Sequence, residues 1–245
     1  MLRPSPALSN IDLPPSLKEL AFQALKENIL NHQLRPGSVY SEQAIAKKLG
    51  ISKTPIHEAL TDLEKRGFVK ILPRKGFQVN RLTQKDVRDM FEFRHSLERS
   101  VLLMVAPKLT EENLRVITSM NDRALKAQDP MSFLRYDRGF HLYLASLTQN
   151  RFFIEALENI KDLSDWVGAE VFAMKGRAKE AVKEHAAVIE MLRKGDPEGA
   201  AKAMAEHLRI TERRFLEKMA ESEKKIEEAL RDPFTQRAGP LGPQS

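Results

Sequence analysis

The sequence predicts a multidomain protein: an N-terminal α+β unit built on a helix-turn-helix, then an all-α antiparallel bundle of about six helices. Three observations carry this. Apolar residues recur at helical spacing almost throughout Leu17 to Ser222. The strand-like stretches, Phe68-Val69-Lys70-Ile71-Leu72 and Phe77-Gln78-Val79, both lie before residue 80. The positive charge lies there too. The chain has 245 residues, 40 Lys and Arg and 34 Asp and Glu, a net +6. Residues 1–80 hold 12 basic against 7 acidic residues, residues 81–222 hold 24 against 23, and residues 223–245 hold 4 of each. A basic head on a near-neutral body points to a polyanion-binding unit joined to one with another task.

Residues 1–12 are expected to be disordered, and the first domain to span 13–80. Leu17, Leu20, Ala21, Ala24, Leu25 and Ile29 share one helical face, giving a helix that ends near Asn31, before the breaker Arg35-Pro36-Gly37. Ser41 caps a short helix from Glu42 to Leu49, stopped at Gly50. A third begins after Ser52 and ends at Gly67. The two strand stretches then flank Pro73-Arg74-Lys75-Gly76, a hairpin with a basic tip. Gly50-Ile51-Ser52 is short enough to cross two helices steeply, the geometry that sets the third helix in the DNA major groove. The same geometry also occurs as plain structural packing.

Particular strings carry a resemblance. Leu34-Arg35-Pro36-Gly37, Ser41-Glu42, Leu49-Gly50-Ile51-Ser52-Lys53-Thr54-Pro55-Ile56-His57-Glu58-Ala59-Leu60, Gly67-Phe68-Val69 and Pro73-Arg74-Lys75-Gly76-Phe77-Gln78-Val79 resemble the winged-helix domain of GntR-family bacterial transcription regulators. The resemblance covers nearly all of residues 17–80. It implies DNA contacts from Gln43, Lys53, Thr54, Pro55 and His57, and from the hairpin tip, Arg74, Lys75 and Gly76. The family's usual string has Arg at the positions of Lys53 and His57, and often at Gln43. Lys holds phosphate without the planar fork of Arg, and Gln is suited to reading adenine.

The second domain, 81–222, reads as helices alone. Thr83 with Asp86 caps a helix through Val105, stopped by Pro107. Thr110 starts the next, which ends near Gln128. Asp129-Pro130 opens a third, Gln149-Asn150 separates it from a fourth, and a fifth runs from about Arg177 to Lys194. Gly195-Asp196-Pro197 turns that helix into a sixth. Short connections make an antiparallel bundle. Asp137 and His141, four apart, share one face. His185 lies ten residues before Gly195 and His207 ten after Pro197, so in a helical hairpin they stand at equal height. An acid and three imidazoles converging in a bundle can hold a divalent metal. An isolated Asp-x-x-x-His is more often a surface or capping pair, and two matched histidines can simply be buried and hydrogen-bonded.

Phe93-Arg94-His95-Ser96-Leu97-Glu98, Asp137-Arg138-Gly139-Phe140-His141, Thr148-Gln149-Asn150, Glu184-His185 and His207-Leu208 resemble the FCD effector-binding domain of the FadR subfamily. That resemblance implies metal ligands at Asp137, His141, His185 and His207. It further implies Zn or a similar divalent ion (Ni, Mn and Fe suit the same donors), and a small carboxylate effector completing its coordination. Arg94 is the expected fork on that carboxylate, with an ion pair to Glu98 as its alternative. Asn150 is a second effector candidate, with helix capping as its alternative.

Other chemistry is excluded. The chain has no cysteine, so disulfides, thiolate metal sites and Cys nucleophiles are ruled out. Its eleven glycines form neither GxGxxG nor a P-loop, and no serine sits in a G-x-S-x-G elbow. The longest apolar run, Val101 to Ala106, is far short of the roughly 20 residues a membrane helix needs. Trp166 and the aromatic residues Phe133, Phe140, Tyr143, Phe152 and Phe153 read as core or cavity wall. Glu223 to Arg231 reads as a solvated helix or frayed tail, and Asp232 to Ser245 as disordered. The expectation is a cytoplasmic, homodimeric, sequence-specific regulator, more a repressor than an activator, whose binding to double-stranded operator DNA a small carboxylate controls. Two alternatives are a metal-dependent hydrolase with a nucleic-acid-binding head and a metal-free regulator with structural histidines.

Overall fold

The computed structural model describes residues 14–231. The expectations for residues 1–12 and for Asp232 to Ser245 lie outside them. The chain divides into two compact units, Met1–Arg81 and Leu82–Ser245. No helix among the described residues is long and apolar enough to cross a membrane.

In the first unit, α1 (Leu17–Leu30) starts at a capping box: Glu19 N–H donates to Ser16 Oγ, while Ser16 N–H donates to the Glu19 carboxylate. α2 (Glu42–Leu49) is capped by Ser41 and closed by Gly50, at φ 69°, the left-handed conformation that glycine adopts without a Cβ penalty. α3 (Lys53–Lys65) follows after a three-residue turn. Apolar residues of α1 and α3, among them Leu25, Ile29, Ile56, Leu60 and Leu63, are buried together with Phe68, Phe77 and Val79. The sheet has three antiparallel strands in the order β1 (Val39–Tyr40), β3 (Gly76–Val79), β2 (Val69–Leu72). Sequence reading finds the hairpin but not β1. Two residues have no alternation to read, and only the pairing of Val39 with Gln78 and Tyr40 with Phe77 makes them a strand.

The second unit contains six α-helices and one 3-10 turn among the described residues. They are α4 (Gln84–Val105), the turn Ala106–Lys108 that holds Pro107, α5 (Glu111–Leu125), α6 (Pro130–Ser146), α7 (Arg151–Phe172), α8 (Arg177–Arg193) and α9 (Pro197–Arg231). Thr83, Thr110, Asp129 and Asn150 each accept a backbone N–H at a helix start. The Glu223 to Arg231 stretch continues α9 rather than fraying. α4 packs on α9, α9 on α8, α8 on α5, α5 on α6, α6 on α7 and α7 back on α4, a closed ring. A common apolar core that includes Phe91, Phe133, Phe140, Leu144, Ile189, Leu208 and Phe215 fills it. Polar side chains turned inward from this ring must find one another, because water cannot reach them.

Candidate metal centre and nucleic-acid interface

Asp137 and His141 stand one turn apart on α6, His185 on α8 and His207 on α9, and all four are at most 2% exposed. One ligand-type atom from each lies within 4.8 Å of all the others. The Nε2 atoms of His185 and His207 are 3.3 Å apart, and Asp137 Oδ1 lies 3.6 Å from His185 Nε2 and 3.9 Å from His141 Nε2. Donors around a tetrahedral ion with bonds of about 2.0–2.1 Å sit about 3.3 Å apart, so these three edges are at or above that spacing.

The atoms behind these donors decide which way each ring faces. His141 Nδ1 meets Glu98 Oε2 at 2.5 Å, and His207 Nδ1 meets Glu184 Oε2 at 2.7 Å. An ionised carboxylate only accepts, so both Nδ1 atoms carry a proton and both Nε2 atoms face the cluster. Each of these glutamates is gripped in turn by a buried arginine. Arg94 Nε donates to Glu98 Oε1 at 2.9 Å, and Arg177 donates to both oxygens of Glu184 at 2.8 and 3.0 Å and to Thr211 Oγ1 at 2.8 Å. The site thus has two Arg–Glu–His chains. His185 lacks such a carboxylate. Its ring lies flat on Phe140, centroids 4.3 Å apart and 12° between planes, which fixes it by packing.

Burial pushes the His185 imidazole well below its ordinary range, helped by the neighbouring His207, and burial lowers His207 as well. Burial works against the Asp137 carboxylate, but Lys161 and the three histidines outweigh it and hold the carboxyl well below its usual value. Burial opposes Glu98 likewise, and His141 with Arg94 prevails, keeping it ionised. Two imidazoles held toward the neutral form and an ionised carboxylate are donors of the kind a divalent cation requires. Asp137 Oδ1 and His141 Nε2 are buried without a hydrogen-bond partner. In a closed interior such orphaned acceptors are costly, and a cation between them would satisfy them. The residues present therefore fit a metal.

Both effector candidates have structural partners. Asn150 is the N-cap of α7, its Oδ1 accepting from Phe152 N–H at 3.0 Å, and it stands at the opposite end of that helix segment from Lys161, about 16 Å away along the axis. Its side-chain oxygen is thus engaged as a helix cap. Arg94 is 1% exposed and bonds Glu98 and Ser164 Oγ, the latter at 3.1 Å, so it is linked to His141 through Glu98. Sequence reading missed Lys161, which is 1% exposed and donates to Asp137 Oδ2 at 2.7 Å. It also missed the parts played by Glu184 and Arg177. The Glu184-His185 pair and the i+4 spacing of Lys161 and Asp165 are the only signals they leave.

In the first unit Gln43, Lys53, Thr54 and His57 are exposed. With Arg74, Lys75 and Gly76 they line one cleft between the start of α3 and the hairpin. Glu42, 6% exposed, sits beneath them and pairs with Lys53 Nζ and His57 Nδ1, each at 3.2 Å. Pro55, unlike Lys53, Thr54 and His57, is buried in the first turn of α3, where its fixed φ suits the helix start. Gly76 is a backbone requirement. Its φ is +112°, and a Cβ there would meet the Tyr40 carbonyl oxygen of β1.

Comparison with known proteins gives two family matches. Residues 17–79 match "Bacterial regulatory proteins, gntR family", and residues 89–210 match "FCD domain". The chain is 29% identical over 201 residues to the HTH-type transcriptional regulator YdhC of Bacillus subtilis, covering 80% of this chain and 90% of that one. It is 23% identical over 218 residues to the HTH-type transcriptional repressor RspR of Escherichia coli, covering 88% and 92%. Among solved structures, McbR/YncC of E. coli has the same fold with a TM-score of 0.73 at 19% identity, over 84% of this chain and all of that one.

Proposed function

Because the chain belongs to the GntR family of bacterial regulatory proteins, with an FCD domain behind its winged helix, we propose that it is a repressor whose hold on operator DNA is set by a small carboxylate bound at a divalent metal in the helical unit. The family's members are DNA-binding transcriptional regulators, not enzymes, so the hydrolase alternative is set aside. Members of the family bind operator DNA and typically dimerise, and this chain acts as a cytoplasmic homodimer on the two halves of a near-palindromic operator. The cleft side chains Gln43, Lys53, Thr54 and His57 meet the major groove, with Arg74 and Lys75 on phosphate or the minor groove. The sign of regulation follows that of RspR, a repressor by name.

One observation carries the effector site: Asp137 Oδ1 and the Nε2 atoms of His141, His185 and His207 converge in a buried space, and Glu98 and Glu184 hold two of the rings in the metal-ready tautomer. Those four atoms would hold the ion, with Zn the best fit among Zn, Ni, Mn and Fe. When bound, a divalent ion supplies Lewis-acid attraction for a carboxylate oxygen. Phe140 and the apolar core keep water away, which strengthens that attraction. Residues 80–84, where the two units join, must transmit the effector's preference, which has to amount to a few kcal/mol to change operator occupancy substantially.

The test is elemental analysis of gently purified protein together with operator binding. Stoichiometric divalent metal in wild type, its loss in His185→Ala, and operator affinity that responds to small carboxylates only in the metal-loaded form support the reading. Wild type without metal, or His185→Ala with unchanged metal content, overturns it in favour of a regulator with structural histidines.

A further inference from the structure

Asp137 offers two oxygens, and only one of them is free. Lys161 Nζ donates to Oδ2 at 2.7 Å, with both side chains at most 3% exposed. Lys161 cannot readily withdraw, because Asp165 Oδ1, one turn along α7, holds the same ammonium at 3.1 Å. Asp165 is anchored in turn by Arg138 at 3.2 Å, and Arg138 also pairs with Asp162 at 2.8 Å. Charges alternate along this row, Arg138, Asp165, Lys161 and Asp137, from the half-buried end inward. At its inner end Oδ1, without a hydrogen-bond partner, faces the histidine Nε2 atoms.

A carboxylate next to a divalent cation can bind through one oxygen or through both. With Oδ2 engaged by a buried ammonium, binding through both would break a charge-assisted hydrogen bond and leave Lys161 facing the cation. We propose that Lys161 is a positioning residue that restricts Asp137 to a single-oxygen ligand and so keeps one coordination position open for an exogenous carboxylate. This inference rests on the metal reading above and adds the residue that decides how many donors the protein itself supplies. Lys161 acts through Asp137 and does not touch the effector.

Cobalt(II), whose visible absorption reports coordination number, is the probe, with acetate as the exogenous carboxylate. Full-length wild type, Lys161→Met and Lys161→Arg are loaded with cobalt and titrated with acetate. Wild type and Lys161→Arg should show an acetate-dependent change in absorption. Lys161→Met should bind cobalt, show altered absorption before acetate is added, and bind acetate about ten- to a hundred-fold more weakly, the scale of such outer contacts. A Lys161→Met protein with wild-type absorption and acetate response overturns the proposal. So does weakened acetate binding without any change in the acetate-free absorption, which would mean that Lys161 contacts acetate itself. X-ray absorption of zinc-loaded wild type needs no variant: a carboxylate bound through both oxygens overturns the inference, and one bound through a single oxygen supports it. Failure of wild type to take up any metal would instead overturn the metal reading and this inference with it.

Discussion

Nε2 of His185 lies 3.3 Å from Nε2 of His207 across the α8–α9 hairpin, with both rings buried. Glu184 accepts a hydrogen bond from Nδ1–H of His207, so the His207 lone pair faces His185. His185 can answer by donating from Nε2, but its buried Nδ1 is then an acceptor with nothing to accept. Protonation gives no relief, because burial holds both rings below their ordinary range. A cation between the two lone pairs resolves the conflict, and the surrounding carboxylates are already placed for it.

Metal affinity should therefore fall in two grades. His185→Ala removes a donor and should weaken zinc binding by more than about a hundredfold. Glu184→Gln leaves the four donors in place but loosens His207, and should cost about ten- to a hundred-fold. Competition titration with a zinc indicator measures both. Equal affinities for wild type and Glu184→Gln would show that the Glu184–His207 contact does not prepare the ring.

Thermal stability should follow metal. An ion that binds the folded state alone adds about 2.7 kcal/mol when its free concentration is 100 times Kd. For a unit of this size that corresponds to a rise in melting temperature of about 5–10 °C. Calorimetry with and without chelator should show this for wild type and not for His185→Ala. A chelator-insensitive wild type would contradict it.

The Arg94–Glu98 pair should be a large stability element. Arg94→Met leaves Glu98, 3% exposed, with His141 alone as partner, and breaking a buried pair from one side costs about 3–5 kcal/mol. The melting temperature should drop by on the order of 10 °C. An Arg94→Met protein that melts like wild type but loses its response to carboxylates would instead restore Arg94 as an effector contact.

Much of this architecture is legible in the sequence because its signals are local. Ser41, Thr83, Thr110 and Asp129 announce helix starts by their own hydrogen bonds, and Gly50 and Gly195 stop helices by their backbone freedom. The four converging donors are legible through spacing: one turn on α6, and equal distances from the α8–α9 turn. Lys161 is not. A lysine four residues before Asp165 reads as an ordinary solvated pair, and only the packing of α7 against α6 turns it inward onto Asp137. β1 escapes for a similar reason, since its identity lies in its partner. Asn150 is ambiguous in the sequence because one residue type serves a helix cap and a ligand contact equally well, and only the folded chain shows the cap.

The junction cap should give a pH-dependent contribution. Hydrogen bonds from Thr83, side chain and backbone, lower the Asp86 carboxyl below its ordinary value. A group depressed in the folded state stabilises above its unfolded pKa, and that stabilisation is lost as pH falls through the folded pKa. Asp86→Ala should thus cost about 1 kcal/mol at neutral pH, the usual worth of a cap, and progressively less in acid until the two proteins melt alike. A deficit that stays constant with pH would assign the loss to packing instead.

DNA binding should separate charge from reading. Lys75 and Arg74 are exposed at the hairpin tip, Arg74 at φ +63°, and Lys53 is 59% exposed beside Glu42. Each cation that meets a phosphate releases counterions, so the slope of log affinity against log salt should shrink by about 0.9 for each contact removed. Lys75→Ala and Arg74→Ala should therefore flatten the salt dependence on any duplex and leave sequence preference intact. Gln43→Ala carries no charge change. It should keep the slope and relax discrimination at one operator position by about 1–3 kcal/mol, the worth of a good base contact. Fluorescence anisotropy over a salt series, on operator and scrambled duplexes, distinguishes the two behaviours. A changed slope for Gln43→Ala, or an unchanged one for both tip variants, would mean that the cleft between α3 and the hairpin is not the face that meets DNA.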